Sequence, residues 1–263
     1  SAIGREFSCE LIKRVTGIPT PEMTPHLSVL RDSELLYERG IFPQATYIFR
    51  HSLTQEVAYD SLLQKKKQEI HERIGEAIEE LYAERLEEFY EILAYHYSRS
   101  ENHEKAYQYL RSSGDKAALR YSPWEALRFY REAINVLNKL PETEDNKRRG
   151  IEIRLSMDLP MRSLGYPEDS FQILQDGERL AVELDDQRSL AIFCSMTSVR
   201  CALKGETREA ITYAEQGLEA ARKTNDLELI APTALDLCIT HTVAGKVLRI
   251  VDVAPGVIAL FEE

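Results

Sequence analysis

Apolar residues recur at helical spacing along most of this chain, and alternate with polar ones only between residues 34 and 50. Over Ser8–Thr16, Cys9, Leu11, Ile12 and Val15 form one stripe; Ser8 is placed to cap the start and Gly17 to take the left-handed turn that ends it. Thr20-Pro21-Glu22 repeats the cap-then-proline start, and Met23, Leu27 and Leu30 keep helical spacing, with Pro25 able to delay the start to Thr24. The runs Glu34–Glu38 and Thr46–Arg50, separated by the turn-compatible Gly40-Ile41-Phe42-Pro43-Gln44, predict a hairpin. Ser52 and Gln55 then have capping-box spacing ahead of Val57, Ala58, Leu62 and Leu63, which predicts a third helix. Residues 1–63 therefore read as a small winged-helix-like module with one β-hairpin.

From Gln64 onward every strong period is helical: Ile70, Ile74, Ala77, Ile78 and Leu81 in one segment, Phe89, Leu93, Ala94 and Tyr97 in the next. Gly165, Gly205 and Gly245 stand 40 residues apart. In that register Ser170, Ala210 and Ile250 align, as do Gly177, Gly217 and Val257, Leu180, Ala220 and Leu260, and Ala181, Ala221 and Phe261. A fixed period of this size indicates stacked helix–turn–helix units, with small residues such as Ser198, Ala210 and Gly217 where two helices approach closely. Earlier units are predicted from Tyr90 to Ser113, with Asn102-His103 in the turn, and from Trp124 through Ala126, Tyr130 and Ala133. Residues 64–263 thus read as helical repeats, interrupted by a polar loop near 140–148 and showing the clear 40-residue period from about 151. Pro160 and Pro255-Gly256 fall inside predicted helices, where each proline removes a backbone hydrogen bond and predicts a kink.

Charge narrows the function. Of 263 residues, 33 are Lys or Arg and 44 Asp or Glu; residues 1–66 carry eight of each, so the whole net charge of -11 lies in the rest. Such a surface repels a phosphate backbone, which makes nucleic acid a poor partner. No apolar stretch reaches the ~18 residues a membrane span needs. The four cysteines show no C-x-x-C pair and no zinc-type spacing; Cys194 and Cys201, seven apart, share one helical face and read as small buried residues in a reduced compartment. The opening Ser1–Glu6 has neither Met nor signal-peptide character and reads as the edge of a cytoplasmic fragment.

Catalytic signals are absent from the sequence. The six histidines have no paired i,i+4 spacing, and there is no G-x-S-x-G, H-E-x-x-H or G-x-x-x-x-G-K-[ST] motif, so ATP hydrolysis is not expected of this chain alone. Glu79-Glu80 and Glu87-Glu88, and the basic runs Lys65–Lys67 and Lys147–Arg149, read as solvated helix or loop surfaces.

Tyr90, Leu93, Ala94 and Tyr97 on one helix, followed by Ala106, Leu110 and Ser113 on the next, resemble the tetratricopeptide repeat (TPR), and the likeness extends over residues 87–263. The fold class expected is therefore mainly α, a TPR-like helical-repeat solenoid preceded by the winged-helix-like module. Ile3-Gly4-Arg5-Glu6-Phe7-Ser8 and Phe49-Arg50-His51-Ser52-Leu53-Thr54-Gln55-Glu56-Val57-Ala58-Tyr59 resemble the region that follows the nucleotide-binding core of bacterial STAND-type signalling ATPases, many of them fused to an adenylate or guanylate cyclase. That resemblance implies a non-catalytic regulatory scaffold, the sensor half of such an ATPase. ATP or ADP would be bound by an upstream domain and no cofactor by this chain. It also implies that His51, at the strand-to-helix junction, contacts the phosphates of ADP, although Ser52 replaces the acidic residue that often follows.

Two further expectations concern partners. The concave face of the repeats is read as Leu155, Leu159, Ser195, Val199, Leu235 and Ile239, an apolar groove for a protein or peptide, or for another domain of the same polypeptide. The alternative is a transcription regulator whose module binds DNA; the second predicted helix speaks against it, offering Glu22, His26, Arg31 and Asp32 rather than a basic face.

Overall fold

The structure is a computed structural model that describes residues 1–40 and 45–262, the side chains at 257 and 260–262 excepted. The expected turn at Ile41–Gln44 and the repeat positions Val257, Leu260 and Phe261 lie outside what is described. The chain divides into two compact units, Ser1–Ser113 and Gly114 onward.

The first unit opens with β1 (Glu6–Ser8), α1 (Cys9–Thr16), α2 (Thr20–Asp32), β2 (Leu36–Arg39), β3 (Thr46–Phe49) and α3 (Ser52–Asp60). The hairpin is present, but β3 is the central strand of a three-stranded antiparallel sheet ordered β1-β3-β2. Phe7 pairs with Tyr47, and Tyr37 with Ile48. The sequence reading missed β1, because three residues are too few to show an alternating period. Phe7, Cys9, Met23, Leu27, Leu36, Ala45 and Tyr47 form the core beneath this sheet.

Both ends of α1 form as predicted. The Ser8 hydroxyl accepts from Leu11 N at 3.1 Å, and Gly17 (φ 69°) returns its N–H to the Lys13 carbonyl. The start of α2 is corrected: the helix begins at Thr20 with Pro19 as its cap, and Pro25 sits inside it at the cost of a single backbone bond. The capping box before α3 is also corrected. His51 occupies the cap without a side-chain bond, and the Gln55 amide donates to the Ser1 carbonyl instead. Nor does α3 bury the face read from Val57, Ala58, Leu62 and Leu63; none of its residues is buried, and Leu53, Val57 and Leu63 are exposed.

The unit continues with α4 (Gln64–Leu81), a 3₁₀ segment over Ala83–Phe89, α5 (Tyr90–Tyr97) and the first turns of α6 (His103–Leu119). Leu93, Ala94, Tyr97, Ala106, Leu110 and Ser113 are buried, as the repeat pattern requires.

The second unit contains α7 (Pro123–Leu137), α8 (Glu144–Ser156), α9 (Asp158–Ser163), α10 (Ser170–Glu183), α11 (Gln187–Leu203), α12 (Thr207–Thr224), α13 (Leu227–Val243) and α14 (Ile250–Glu262). Among the described residues no strand follows Phe49. The polar loop is shorter than predicted, because Thr143 Oγ1 accepts from Asn146 N and starts α8 at Glu144. Successive helices from α10 to α14 pack in order, and α11 also lies beside α13. That is the arrangement of stacked TPR-like helix pairs.

The 40-residue period is a period of turns. Gly165, Gly205 and Gly245 all lie in the left-handed region (φ 65°, 78° and 69°), closing each pair. Asp185 and Asn225, also 40 apart, take left-handed values of 51° and 54°, and Asp186 and Asp226 cap the helices that follow. Asp and Asn are the non-glycine residues that tolerate this conformation best.

Pro160 behaves as predicted. Lacking an N–H, it cannot bond the Ser156 carbonyl, and the helix breaks there into α8 and α9. Pro255 does not break α14, which runs through it. Trp124, at the start of α7, is 64% exposed, while Ala126, Tyr130 and Ala133 are buried.

Candidate functional site

The residues read as a concave groove fall on α8, α9, α11 and α13 and divide by environment. Leu155 and Val199 are half-buried, Ser195 is buried, and Leu159, Leu235 and Ile239 are exposed. On α13, Leu235, Ile239 and Val243 follow one another at helical spacing and are each more than half exposed. Leu203, one turn beyond Val199 on the neighbouring α11, continues the stripe. This apolar row is exposed because the opposite faces of these helices already meet α10 and α12.

The row is not uniformly apolar. Ser195 Oγ donates to the Asp236 carboxylate, and Ser198 Oγ donates to the Ala210 carbonyl at 2.8 Å while meeting Thr240 Oγ1 at 3.2 Å. Hydroxyls therefore tie α11 to α12 and α13, and Asp236 is a carboxylate beside the row that the sequence reading did not include. A free acidic terminus brought here would meet a negative charge.

His51 stands exposed at the N-cap of α3, its carbonyl accepting from Gln55 N at 3.4 Å. No other predicted site residue is near it in sequence or shares its unit. The groove residues belong to the second unit.

Two polar clusters in the first unit were not anticipated. Tyr59 OH, His71 and His96 form a chain: Tyr59 OH to His71 Nε2 at 2.9 Å, then His71 Nδ1 to His96 Nδ1 at 2.8 Å. Both imidazoles are buried, so burial lowers the His71 pKa to about 4 and that of His96 to about 3, with Arg99 adding to each. One of the facing Nδ1 atoms must carry the proton that the other accepts. In the second cluster Glu79 accepts from Lys105 Nζ at 2.5 Å and Tyr109 OH at 2.6 Å. Burial raises its pKa, but these bonds and one with Tyr97 outweigh that and hold the carboxyl below its ordinary range. Glu79 is thus corrected from a solvated surface residue to a packed one, while Glu80 pairs with Arg14 at the surface. The hydrogen bonds join residues 26 to 30 positions apart, beyond any local motif.

All four cysteines are free, Cys9, Cys194 and Cys201 are buried, and burial pushes the Cys194 thiol up to about 12. Among the described residues no His, Cys, Asp and Glu cluster could hold a metal ion, and no helix is long and apolar enough to cross a membrane.

No protein-family model matches the chain, and no curated protein does. Among solved structures, BtubC (BKLC) from P. vanneervenii matches at 12% identity with a TM-score of 0.56, covering 80% of this chain and 86% of its own. The STAND protein PH0952 from Pyrococcus horikoshii, which has a tetratricopeptide repeat sensor, matches at 17% identity with a TM-score of 0.47. That match takes in 98% of this chain and 42% of PH0952, so the chain spans less than half of that protein's length. The likeness to BtubC is one of fold.

Proposed function

We propose that this chain is a non-catalytic regulatory scaffold, the sensor portion of a STAND-type signalling ATPase, whose TPR-like helices dock a protein, a peptide or another domain of the same polypeptide. The observation that carries this reading is the exposed row Leu235, Ile239 and Val243 beside Leu203, apolar surface on rigid helices in a chain of net charge -11. The motif likeness around Phe49–Tyr59 supplies the STAND assignment. The order strand, two helices, two strands in residues 6–49 supports a winged-helix reading of the module.

In this reading the exposed Leu53 and Val57 of α3 are available to an upstream nucleotide-binding core, and His51 beside them contacts the phosphates of its ADP. The parent acts in the bacterial cytoplasm and carries a cyclase or another output domain. DNA binding is a weaker alternative, because the lone cation of α2, Arg31, is engaged by Asp32 and Glu38.

A photo-crosslinking residue placed at Ile239 tests the docking reading, with Glu219 on the exposed face of α12 as the control position. A discrete adduct at 239, either to a second protein or within the parent polypeptide, is expected. Equal, diffuse labelling at both positions refutes it. For the nucleotide reading, His51→Ala in the full-length parent should lower ADP retention with stability preserved; unchanged retention rejects the sensor role.

A further inference from the structure

A pocket of about 240 Å³ opens between the end of α7, α8 and α10. Leu137, Leu140 and Leu180 contribute apolar walls, and Lys147, Arg154 and Arg179 bring three cations against the carboxylates of Glu142 and Glu183. An excess of positive charge here runs against the acidic balance of the chain.

The three cations are not equivalent. Glu183 spans two of them, meeting Lys147 Nζ and Arg179 Nη1 at 2.6 Å each. Arg154 is only 6% exposed, and among the described residues no carboxylate lies within ion-pair distance of it. Its Nη1 donates to the Gly150 carbonyl at 2.8 Å, one turn back on the same helix, and its Nε is buried without a partner. Room for the guanidinium depends on Gly150, where a Cβ would come within 3.3 Å of Nη1 and 3.0 Å of Leu180 Cδ1. Burial holds the guanidinium below its usual pKa, with Asp176 offsetting part of that effect, yet the group stays charged. A buried cation that makes no direct ion pair and leaves its Nε unpartnered is costly, and an anion entering the cavity relieves that cost.

We propose that this pocket binds a small carboxylate with an apolar stem, the carboxylate meeting the Arg154 guanidinium and the stem lying on Leu137, Leu140 and Leu180. The planar fork of arginine matches both carboxylate and phosphate. The apolar walls select an anion with hydrocarbon attached. The volume, below the usual range of ~300–1,000 Å³ for drug-sized ligands, suits a small anion better than a nucleotide. The site shares no helix with the exposed row of the docking reading, so it stands whether or not that reading does.

The test is a calorimetric and NMR titration of the purified chain with hexanoate, benzoate, hexanamide and inorganic phosphate at low salt. Saturable binding of hexanoate or benzoate is expected, without binding of the neutral hexanamide. Arg154→Met should weaken it about tenfold or more, and Arg154→Lys less severely, because the charge remains while the fork is lost. Should Arg154→Met not fold, Leu140→Trp, which fills the cavity and leaves the charge in place, should abolish binding. Carboxylates that bind no better than hexanamide, or an Arg154→Met protein that binds them like the wild type, overturn the proposal. Phosphate bound as tightly as hexanoate overturns the carboxylate assignment.

Discussion

The ring of Phe193 on α11 lies over the α-carbon of Gly177 on α10: a Cβ built on Gly177 would stand 2.4 Å from Cε1 and from Cζ. The same relation joins Gly114 to Tyr130 and Gly75 to Tyr97, where a Cβ would fall 2.5 Å and 2.6 Å from the ring. Each aromatic is buried, and each glycine is helical. The ring fills the space that any side chain would claim, so these glycines are set by packing and not by backbone conformation.

Gly177→Ala is therefore expected to destabilise the second unit by about 1–3 kcal/mol through overpacking, despite the ~1 kcal/mol that alanine gains in helix propensity. Phe193→Leu in the same chain should recover part of the loss. Denaturant titration of the single and double variants measures the coupling, and strictly additive effects would sink the explanation. Gly205→Ala should also destabilise, by about 1–2 kcal/mol, for a different reason: its surroundings are open but its φ is 78°.

Stability should fall with acidification over a window set by His71 and His96. Their native pKa values lie near 4 and 3, below the unfolded value of 6.5, so the unfolded chain binds more protons between those limits. Folding stability from this pair is complete above about pH 6.5. It declines as pH falls toward 4, with a limiting slope of about 1.4 kcal/mol per pH unit for each imidazole. His71→Gln combined with His96→Gln should flatten that part of the profile in thermal melts taken across pH. An unchanged profile would show that carboxylates alone govern it.

Glu79→Ala removes the acceptor of both Lys105 and Tyr109 and leaves their donors without it. The expected cost is about 2 kcal/mol, in the range for hydrogen bonds to a charged group, and Glu79→Gln should retain part of it. Because the native carboxyl titrates below its ordinary range, its contribution is present at neutral pH and lost as pH drops through that lowered value. Urea titration at pH 7 distinguishes this from a solvated residue, whose removal would cost under about 0.5 kcal/mol.

Leu235→Ser and Ile239→Ser should leave stability within about 0.5 kcal/mol of the parent, since both side chains are exposed. A loss of more than 2 kcal/mol in thermal or chemical unfolding would show instead that they pack within the fold.

The helices and the repeat were legible because both depend on periodic burial. Gly165, Gly205 and Gly245 were recognisable from spacing alone, and their shared left-handed conformation is its cause. Asp185-Asp186 and Asn225-Asp226 carried an equal signal at the second turn of each unit, polar residues in the same register. Strand β1 was hidden by its length. The face of α3 was misjudged because apolar spacing states which residues share a side, not whether anything covers it. Neither Glu79 nor Arg154 could be recognised as special: the partners of Glu79 are 26 and 30 positions away, and Arg154 is defined by a buried Nε that finds no partner. Three-dimensional proximity supplies that information, and periodicity does not.

The recurrence of one left-handed glycine every 40 residues makes the chain divisible into interchangeable cassettes. At Gly205 and at Gly245 the backbone reverses in the same way, and each reversal is followed by a helix that packs on the one before it. Excision of residues 206–245 joins two ends of matching conformation and carries the chain from α11 directly into the helix that now follows α13. The array would then be shorter by one unit. Duplication of the same segment lengthens it by one. The length of the apolar row is thus adjustable in steps without redesign of the turns that space it.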